Sequence, residues 1–224
     1  MTSIIVIAEG QSEEIFIKKS IAPVMREIGI FVKPLLLKTS RDASGGGITF
    51  DRFKFNARNT LLQSKDVFVT TFLDLYGLDS DFPGFQESKK INDLYQRVIY
   101  LENSLRDAIV DHVGIRPERF MPHIQPHEFE ALLFSDIEKF ISIEPGWAHA
   151  MNTLLKARSD VLNPEYINNS YETKPSKRLE NCLQPTYRKT THGPRGIERI
   201  SLGVIEDACP HFKSWIDSLR VLSK

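Results

Sequence analysis

Acidic residues follow two apolar runs in the first third of the chain, and their position makes them candidates for catalysis. Glu9 comes directly after the run at residues 3–8, and Asp74 comes directly after residues 66–73. A carboxylate at the end of a buried strand is costly unless a cation or a base compensates it. Glu13 can point back toward the same place from the first turn of a helix. Three such oxygen ligands suit Mg²⁺ or Mn²⁺ and not zinc.

The acids of the first turn also have a structural explanation. Glu13 and Glu14 taken alone are better explained by the helix dipole, which favours negative charge at a helix N-terminus. Glu9 precedes the expected helix and is not needed by it. The metal-binding interpretation therefore depends mainly on Glu9 and Asp74.

A second group of candidates lies in mid-chain, in the segment 126–136. Its apolar residues fall on opposite sides of a helical wheel, which predicts a buried helix. His127 and Glu130 would share one face of that helix, and Glu128 would project between the faces. If the helix is buried, a carboxylate there needs a charged partner, either a shared metal or a lysine. Acids in a first turn are equally favoured by the dipole, so both interpretations stay open.

The third group is basic. Residues 174–199 contain seven Lys or Arg against two acids. Lys177, Arg178 and Lys189 are candidates for holding a phosphate or for stabilising charge on its oxygens. A solvated basic loop explains the same pattern. Over the whole chain 29 basic residues balance 29 acidic ones, which argues against a protein coated in phosphate-binding residues.

The elements that must position these residues alternate between strand and helix. Ser12 is the expected N-cap of a helix that Gly29 ends, and a turn-rich glycine loop is expected at residues 39–47. The order predicts a parallel sheet flanked by helices, with ligands bound beyond the carboxyl ends of the strands. The remaining predicted elements are strands at 3–8, 31–37, 66–73 and 120–124, and helices at 51–63, 89–112, 147–157 and 212–221.

Length and composition indicate one globular domain. The 224 residues are 41% hydrophobic and 26% charged, as in an ordinary globular protein. The order of the predicted elements places the core at about residues 1–125 and a helical part at about 126–224. No apolar run approaches the roughly 18–20 residues of a membrane span, and no secretory signal is recognisable. Cys182 and Cys209 are too few for a disulfide framework. We therefore expect a cytoplasmic protein with reduced thiols and no membrane contact.

Four motifs in this order resemble a widespread bacterial family of uncharacterised proteins related to the Toprim (topoisomerase–primase) fold. They are E-G-Q-S-E-E from Glu9, D-L-Y-G-L from Asp74, H-E-F-E-A-L-L-F from His127 and P-S-K-R from Pro175. The resemblance extends from Ile5 to Trp215. It implies a parallel sheet with helices on its faces. It also implies acids after the first and third strands that bind Mg²⁺ in nucleotidyl transfer or phosphodiester cleavage.

The resemblance assigns roles residue by residue. Glu9 matches the first Toprim glutamate, and Glu13 resembles the second acid in the E-G-x-T-E pattern of the overcoming-lysogenization-defect nucleases. Asp74 matches the first member of the usual Asp-x-Asp pair, but Tyr76 replaces the second. The missing ligand would then come from one of three other acids, namely Asp79, Glu128 or Glu130.

Together these observations predict a Mg²⁺- or Mn²⁺-dependent nuclease acting on DNA or RNA. Glu9, Glu13 and Asp74 would hold one or two ions, and Glu130 or Glu128 would complete the shell or orient water. Lys177 and Arg178 would neutralise the scissile phosphate, while Lys189 and His127 would contact substrate.

The resemblance adds an ATPase partner in defence against phage or plasmids, and the sequence leaves a homo-oligomer open. Two other classes of function also remain open. One is a non-catalytic regulator that binds an ATPase, which the replacement by Tyr76 favours. The other is a metal-dependent nucleotidyl- or phosphotransferase that uses the same sheet and ion.

Overall fold

The structure is a computed structural model that describes residues 2–37, 48–63, 65–168 and 171–223. The glycine-rich turn predicted at residues 39–47 lies outside the described residues. Within the described part of the chain, no helix is both long enough and apolar enough to cross a bilayer.

The described residues form a sheet of five parallel strands, which confirms the predicted α/β class. The strand order is β2-β1-β3-β4, and β5 also pairs with β3. Ala8 at the end of β1 lies opposite both Leu36 and Phe72 on its two neighbours. The strands are β1 (Thr2–Ala8), β2 (Ile30–Leu36), β3 (Val67–Asp74), β4 (Phe120–Met121) and β5 (Ile124–Gln125).

The two short strands are one interrupted edge strand. Phe120 lies opposite Val69 and Ile124 lies opposite Leu73, so β4 and β5 keep the same register on β3. The interruption contains Pro122, which has no N–H to donate. Thr71 bridges the gap because its hydroxyl donates to the His123 carbonyl at 2.6 Å and accepts from the His123 N–H at 2.8 Å.

The connection from β1 to β2 is helical throughout. It comprises α1 (Gln11–Phe16), a π-helical turn (Ile17–Ile21) and α2 (Ala22–Glu27). Gly29 follows with φ of 80°, as expected of a residue that ends a helix. The prediction of Ser12 as N-cap is wrong, since Gly10 holds that position. The Ser12 hydroxyl instead donates to the Lys189 carbonyl, 3.1 Å away.

The remaining helices surround the sheet. The predicted helix at 51–63 is confirmed, whereas the long helix predicted from residue 89 starts later. Asp93 caps it by accepting from the Gln96 N–H. The remaining α-helices are α3 (Phe50–Gln63), α4 (Phe85–Ser88), α5 (Leu94–Val113), α6 (Ile137–Ile141), α7 (Met151–Ser159), α8 (Pro175–Cys182), α9 (Lys189–Arg199), α10 (Leu202–Ala208) and α11 (Pro210–Arg220). Short 3₁₀ helices span Leu75–Gly77, Pro117–Arg119, Phe129–Ser135, Pro145–Ala150, Pro164–Tyr166, Tyr171–Thr173 and Val221–Ser223.

Two hydrophobic cores lie on opposite faces of the sheet. Phe72 belongs to the core shared with the C-terminal helices, and Leu73 to the core under α3 and α5. Successive residues of a strand point to opposite faces, so β3 fills both cores in turn. Asp74 is the last residue of this buried strand and is itself buried. The packing on both faces therefore fixes where its carboxylate can lie.

The helix predicted at 126–136 is only partly correct. Burial is confirmed, because every residue from 129 to 134 is buried. The helix is 3₁₀, however, and it begins at Phe129. His127 lies before it with φ of 60° and Glu128 is extended, so His127 and Glu130 do not share a helix face. The bend has a structural cause, since the Phe129 N–H is turned to donate to Asp74 Oδ1 at 2.8 Å.

The Thr71 bridge can be tested by a nearly isosteric substitution. We expect Thr71→Val to lower the free energy of unfolding by about 1–3 kcal/mol, because the buried His123 N–H loses its acceptor. Urea denaturation measures this change. Thr60→Val is the matched control, since the Thr60 hydroxyl bonds within its own helix and is only partly buried. Equal stability of Thr71→Val and wild type would contradict the bridging role.

Candidate metal site at the carboxyl end of the sheet

The candidate site lies at the carboxyl ends of β1 and β3. Chain order reverses between these neighbouring strands, which is where open parallel sheets bind ligands. Glu9 follows β1, and Asp74 ends β3. The Asp74 N–H lies 3.4 Å from Glu9 Oε2 and donates to it. The two acids that the sequence analysis expected to meet therefore lie side by side.

Two further acids and one lysine complete the cluster. Glu13 comes from the first turn of α1, and Glu130 from the 3₁₀ helix Phe129–Ser135. We call Glu9, Glu13, Asp74 and Glu130 the acidic rim. The ammonium of Lys189 lies among them, at 3.3 Å from Asp74 Oδ2, 3.4 Å from Glu130 Oε2 and 3.7 Å from Glu13 Oε1. Lys189 was predicted to contact substrate, and the structure places it against the acids.

Two glycines make room for the rim carboxylates. A Cβ at Gly10 would lie 2.8 Å from Glu13 Oε2, and a Cβ at Gly77 would overlap the Glu9 carboxylate. A side chain at either position would therefore displace a rim carboxylate from its place. They are the glycines of the E-G and Y-G steps in the sequence motifs, a signal that the sequence analysis did not use.

The rim contains carboxylate oxygens without hydrogen-bond partners. Glu13 Oε2 and Glu130 Oε2 are both buried, and neither accepts a hydrogen bond from a described residue, although Glu130 Oε2 forms the ion pair with Lys189. The residues themselves are 2% and 0% exposed. Buried acceptors in folded proteins usually have a partner, which can be an ordered water or an ion. Clustered carboxylate oxygens of this kind fit a hard divalent cation such as Mg²⁺ or Mn²⁺.

Burial shifts the protonation of the rim. It raises the pKa of Glu9 to about 7, and the charge of Glu13 adds to the effect. Burial also raises the pKa of Asp74 and of Glu130, although Lys189 opposes both shifts. The pKa of Lys189 is itself raised, because attraction to Asp74 and Glu130 outweighs its desolvation. Without a bound cation, Glu9 is therefore only partly ionised near neutral pH.

Glu128 lies beside the rim but is already engaged. Its Oε1 accepts from Lys174 Nζ at 2.6 Å, and its Oε2 from the Ser176 N–H at 3.1 Å, in the first turn of α8. Burial disfavours its charged form, but these hydrogen bonds outweigh burial and lower the pKa of Glu128. Glu128 is thus an ionised side chain that fixes the start of α8. Its predicted catalytic role stays a prediction.

The other predicted basic residues also have partners. Lys177 pairs with Glu180 at 2.6 Å, and Arg178 Nε donates to the Thr173 carbonyl at 2.6 Å. Both lie on α8, the helix that Glu128 anchors. A role in binding phosphate would require them to exchange these partners for a substrate.

His127 and Tyr76 form a pair next to the rim. Their ring centroids are 5.3 Å apart, and the Tyr76 N–H donates to the His127 carbonyl. The Tyr76 hydroxyl accepts a hydrogen bond from Asn168. Burial, together with the nearby charge of Arg97, lowers the pKa of His127 to about 4. His127 is therefore neutral at physiological pH and can contact a substrate only as an uncharged group.

Sequence reasoning missed Tyr187, which contacts the rim. The Tyr187 hydroxyl donates to Glu130 Oε1 at 3.3 Å. Burial first, and then the charge of Glu130, raises the pKa of Tyr187, so it stays a donor. Tyr187 lies two positions before Lys189 in the basic segment, and that adjacency was the only available signal.

A second group of possible ligands lies apart from the rim. In the described part of the chain, Glu102, His123 and His211 offer ligand atoms that all lie within 4.8 Å of one another, so they could hold a metal ion. The rim acids are not gathered as tightly, because the Lys189 ammonium lies among them. The sequence analysis did not single out any of these three residues.

Comparison with known proteins identifies the family. The chain belongs to the family described as a domain of unknown function, DUF4276, whose sequence profile matches residues 8–220. That match includes the whole rim, Lys189 and the group of Glu102, His123 and His211. No curated protein and no solved structure matches the chain.

The raised pKa of Glu9 predicts a stability effect of its removal. An acid whose pKa is raised by folding stabilises the protein fully below its unfolded-state pKa, and that contribution is lost as pH rises through about 7. Glu9→Gln does not titrate. We therefore expect the free energy of unfolding of Glu9→Gln to exceed that of wild type by about 1–3 kcal/mol at pH 8 without divalent ions. Near pH 4.5 the two proteins should be equally stable.

Denaturation across this pH range measures the difference. Glu14→Gln is the matched control, because Glu14 pairs with Lys18 on the surface, where such pairs contribute little. A Glu9→Gln variant less stable than wild type at pH 8 would contradict the unfavourable burial of the Glu9 carboxylate.

Lys189 should compete with a divalent ion for the rim. We expect Lys189→Met to lower the melting temperature of the metal-free protein, because it leaves the rim charges uncompensated. We also expect Mn²⁺ to raise the melting temperature more in this variant than in wild type. Lys19→Met is the control, since Lys19 pairs with Glu198 on the surface. An equal or smaller effect of Mn²⁺ in Lys189→Met would show that the lysine and the ion do not share a site.

Proposed function

We propose that the protein is a Mg²⁺- or Mn²⁺-dependent nuclease that hydrolyses phosphodiester bonds of nucleic acid. One observation carries the proposal. Four acids from three separate segments converge at the carboxyl ends of β1 and β3, and among the described residues Glu13 Oε2 has no hydrogen-bond partner and Glu130 Oε2 has only its ion pair with Lys189. The resemblance of the motifs to Toprim enzymes supports the same chemistry.

Glu9, Glu13, Asp74 and Glu130 are the residues that would hold the cation. A bound divalent ion would supply an activated water and would stabilise negative charge on the phosphate oxygens. The remaining groups keep the acids in place. The Phe129 N–H fixes Asp74, and the Tyr187 hydroxyl fixes Glu130.

Lys189 is the residue best placed to contact the phosphate. Its ammonium neutralises the acids in the absence of a cation, but 43% of its side chain is exposed. With the acids balanced by a cation, the Lys189 ammonium would be free to bind a phosphate oxygen. The phosphate contacts predicted for Lys177 and Arg178 would be made from α8, and they stay predictions.

A non-catalytic regulator is the second candidate. Lys189 already compensates the acids, and Tyr76 replaces the second aspartate of the usual pair. Both features favour a rim that is stable without metal. The ATPase partner and the role in defence that the resemblance implies would suit either candidate.

Activity assays separate the two candidates. With Mn²⁺ or Mg²⁺, we expect the full chain to cleave DNA or RNA, and EDTA to abolish cleavage. Asp74→Asn removes one charge from the rim and should reduce the rate by at least about 100-fold. Asp111→Asn, an exposed residue on α5, is the control and should cleave like wild type.

Circular dichroism should show that both variants remain folded. Cleavage by Asp74→Asn at the wild-type rate, or cleavage that resists EDTA, would end the nuclease proposal. Mn²⁺ binding without cleavage of plasmid, single-stranded DNA or RNA would favour the regulator.

A further inference from the structure

We propose that Glu102, His123 and His211 form a zinc site, separate from the acidic rim, that ties the C-terminal helices to the edge of the sheet. The inference is independent of the nuclease proposal, because none of these residues belongs to the rim. It rests on three features of the group: the distances between its ligand atoms, the way its rings are held, and a cavity beside it.

The ligand atoms come from three separate elements. Glu102 lies on α5, His123 in the interruption between β4 and β5, and His211 in the first turn of α11. Glu102 Oε1 lies 2.9 Å from His211 Nε2 and 3.6 Å from His123 Nδ1. Ligands bound tetrahedrally to zinc at its usual bond lengths lie about 3.4 Å apart. All three ligand atoms lie within 4.8 Å of one another, so the group is compact enough to surround one ion.

The hydrogen bonding of His123 favours a cation at this place. Its Nε2 lies 3.4 Å from Gln125 Oε1, and a hydrogen bond there requires the proton on Nε2. Nδ1 then presents a lone pair toward Glu102 Oε1, which also accepts from the Ile124 N–H at 2.8 Å. His123 is 1% exposed. A metal ion at this place would use the lone pair of Nδ1, and Gln125 would orient the ring.

The two imidazoles are held by packing and by backbone contacts. The His123 ring stacks between Trp215, with centroids 4.6 Å apart, and His211, with centroids 5.0 Å apart. The His211 N–H donates to Glu165 Oε2 at 3.0 Å, which fixes the start of α11. Preorganised ligands reduce the cost of binding an ion.

The group has access to solvent. A cavity of about 230 Å³ opens beside it, lined by Met121, Ser214 and Ser218 together with the proposed ligands. Three protein ligands leave a fourth tetrahedral position free, and this cavity is large enough for water to fill it.

The ligand set selects the kind of ion. Imidazole nitrogens suit zinc and other late divalent metals, whereas Mg²⁺ prefers oxygen ligands alone. The acidic rim, with four carboxylates, has the opposite preference. The protein would thus hold two cation sites of different chemistry. Gln125, next to the zinc site, lies on β5 opposite Asp74 of β3 in the strand register. Bound zinc would therefore also stiffen the strand beside Asp74.

Zinc titration of the metal-depleted full chain tests the proposal, with excess Mg²⁺ present to occupy the rim. We expect one equivalent of Zn²⁺ to bind by calorimetry and to raise the melting temperature by at least about 4 °C. Glu102→Gln and His211→Gln should each weaken binding at least about 10-fold. His112→Gln, an exposed histidine on α5, is the control and should bind like wild type.

A spectroscopic signal locates the ion. Co²⁺ should quench tryptophan fluorescence in wild type, because Trp215 stacks on His123, and this quenching should be lost in Glu102→Gln. Absence of Zn²⁺ binding by wild type would overturn the proposal. Unchanged affinity in Glu102→Gln would overturn it as well, even if His211→Gln failed to fold.

Discussion

The rest of the structure depends on one electrostatic constraint, the convergence of four carboxyl groups at the end of a buried parallel sheet. Such a cluster is unfavourable unless a positive charge compensates it. In the described residues the Lys189 ammonium does so, within 3.3–3.7 Å of three of the acids. Burial raises the pKa of Glu9 to about 7, and the neighbouring charge of Glu13 adds to the effect. The rim is therefore suited to binding a stronger cation.

The fold satisfies this constraint by bringing distant segments to one place. β1 and β3 deliver Glu9 and Asp74 because both strands run in the same direction and end together. The C-terminal part covers one face of the sheet. Its helix α9 begins near the carboxyl ends of the strands, which places Lys189 at the rim. Ser12 joins the two parts directly through its bond to the Lys189 carbonyl. The helical part is thus necessary for the site as well as for the core.

The sequence predicted what local patterns determine. Apolar β-branched runs located β1 and β3, so the meeting of Glu9 and Asp74 could be expected before the structure was known. The ion pairs of Lys189 with the acids could not be expected, because they depend on how α9, far along the chain, packs against the sheet. The left-handed backbone of His127 was also hidden, since tertiary hydrogen bonds around Asp74 override the helical pattern there. No local sequence pattern indicates the hydrogen bond from Tyr187 to Glu130. The same holds for the group of Glu102, His123 and His211.

A crystal structure of the full chain with Mn²⁺, read from anomalous scattering, tests the central claim most directly. The proposal requires an Mn²⁺ peak bound by oxygens of Glu9 and Asp74 and of at least one of Glu13 and Glu130, with the Lys189 ammonium moved away. A rim without an ion at saturating Mn²⁺, with Lys189 still between the acids, would contradict a metal-dependent function.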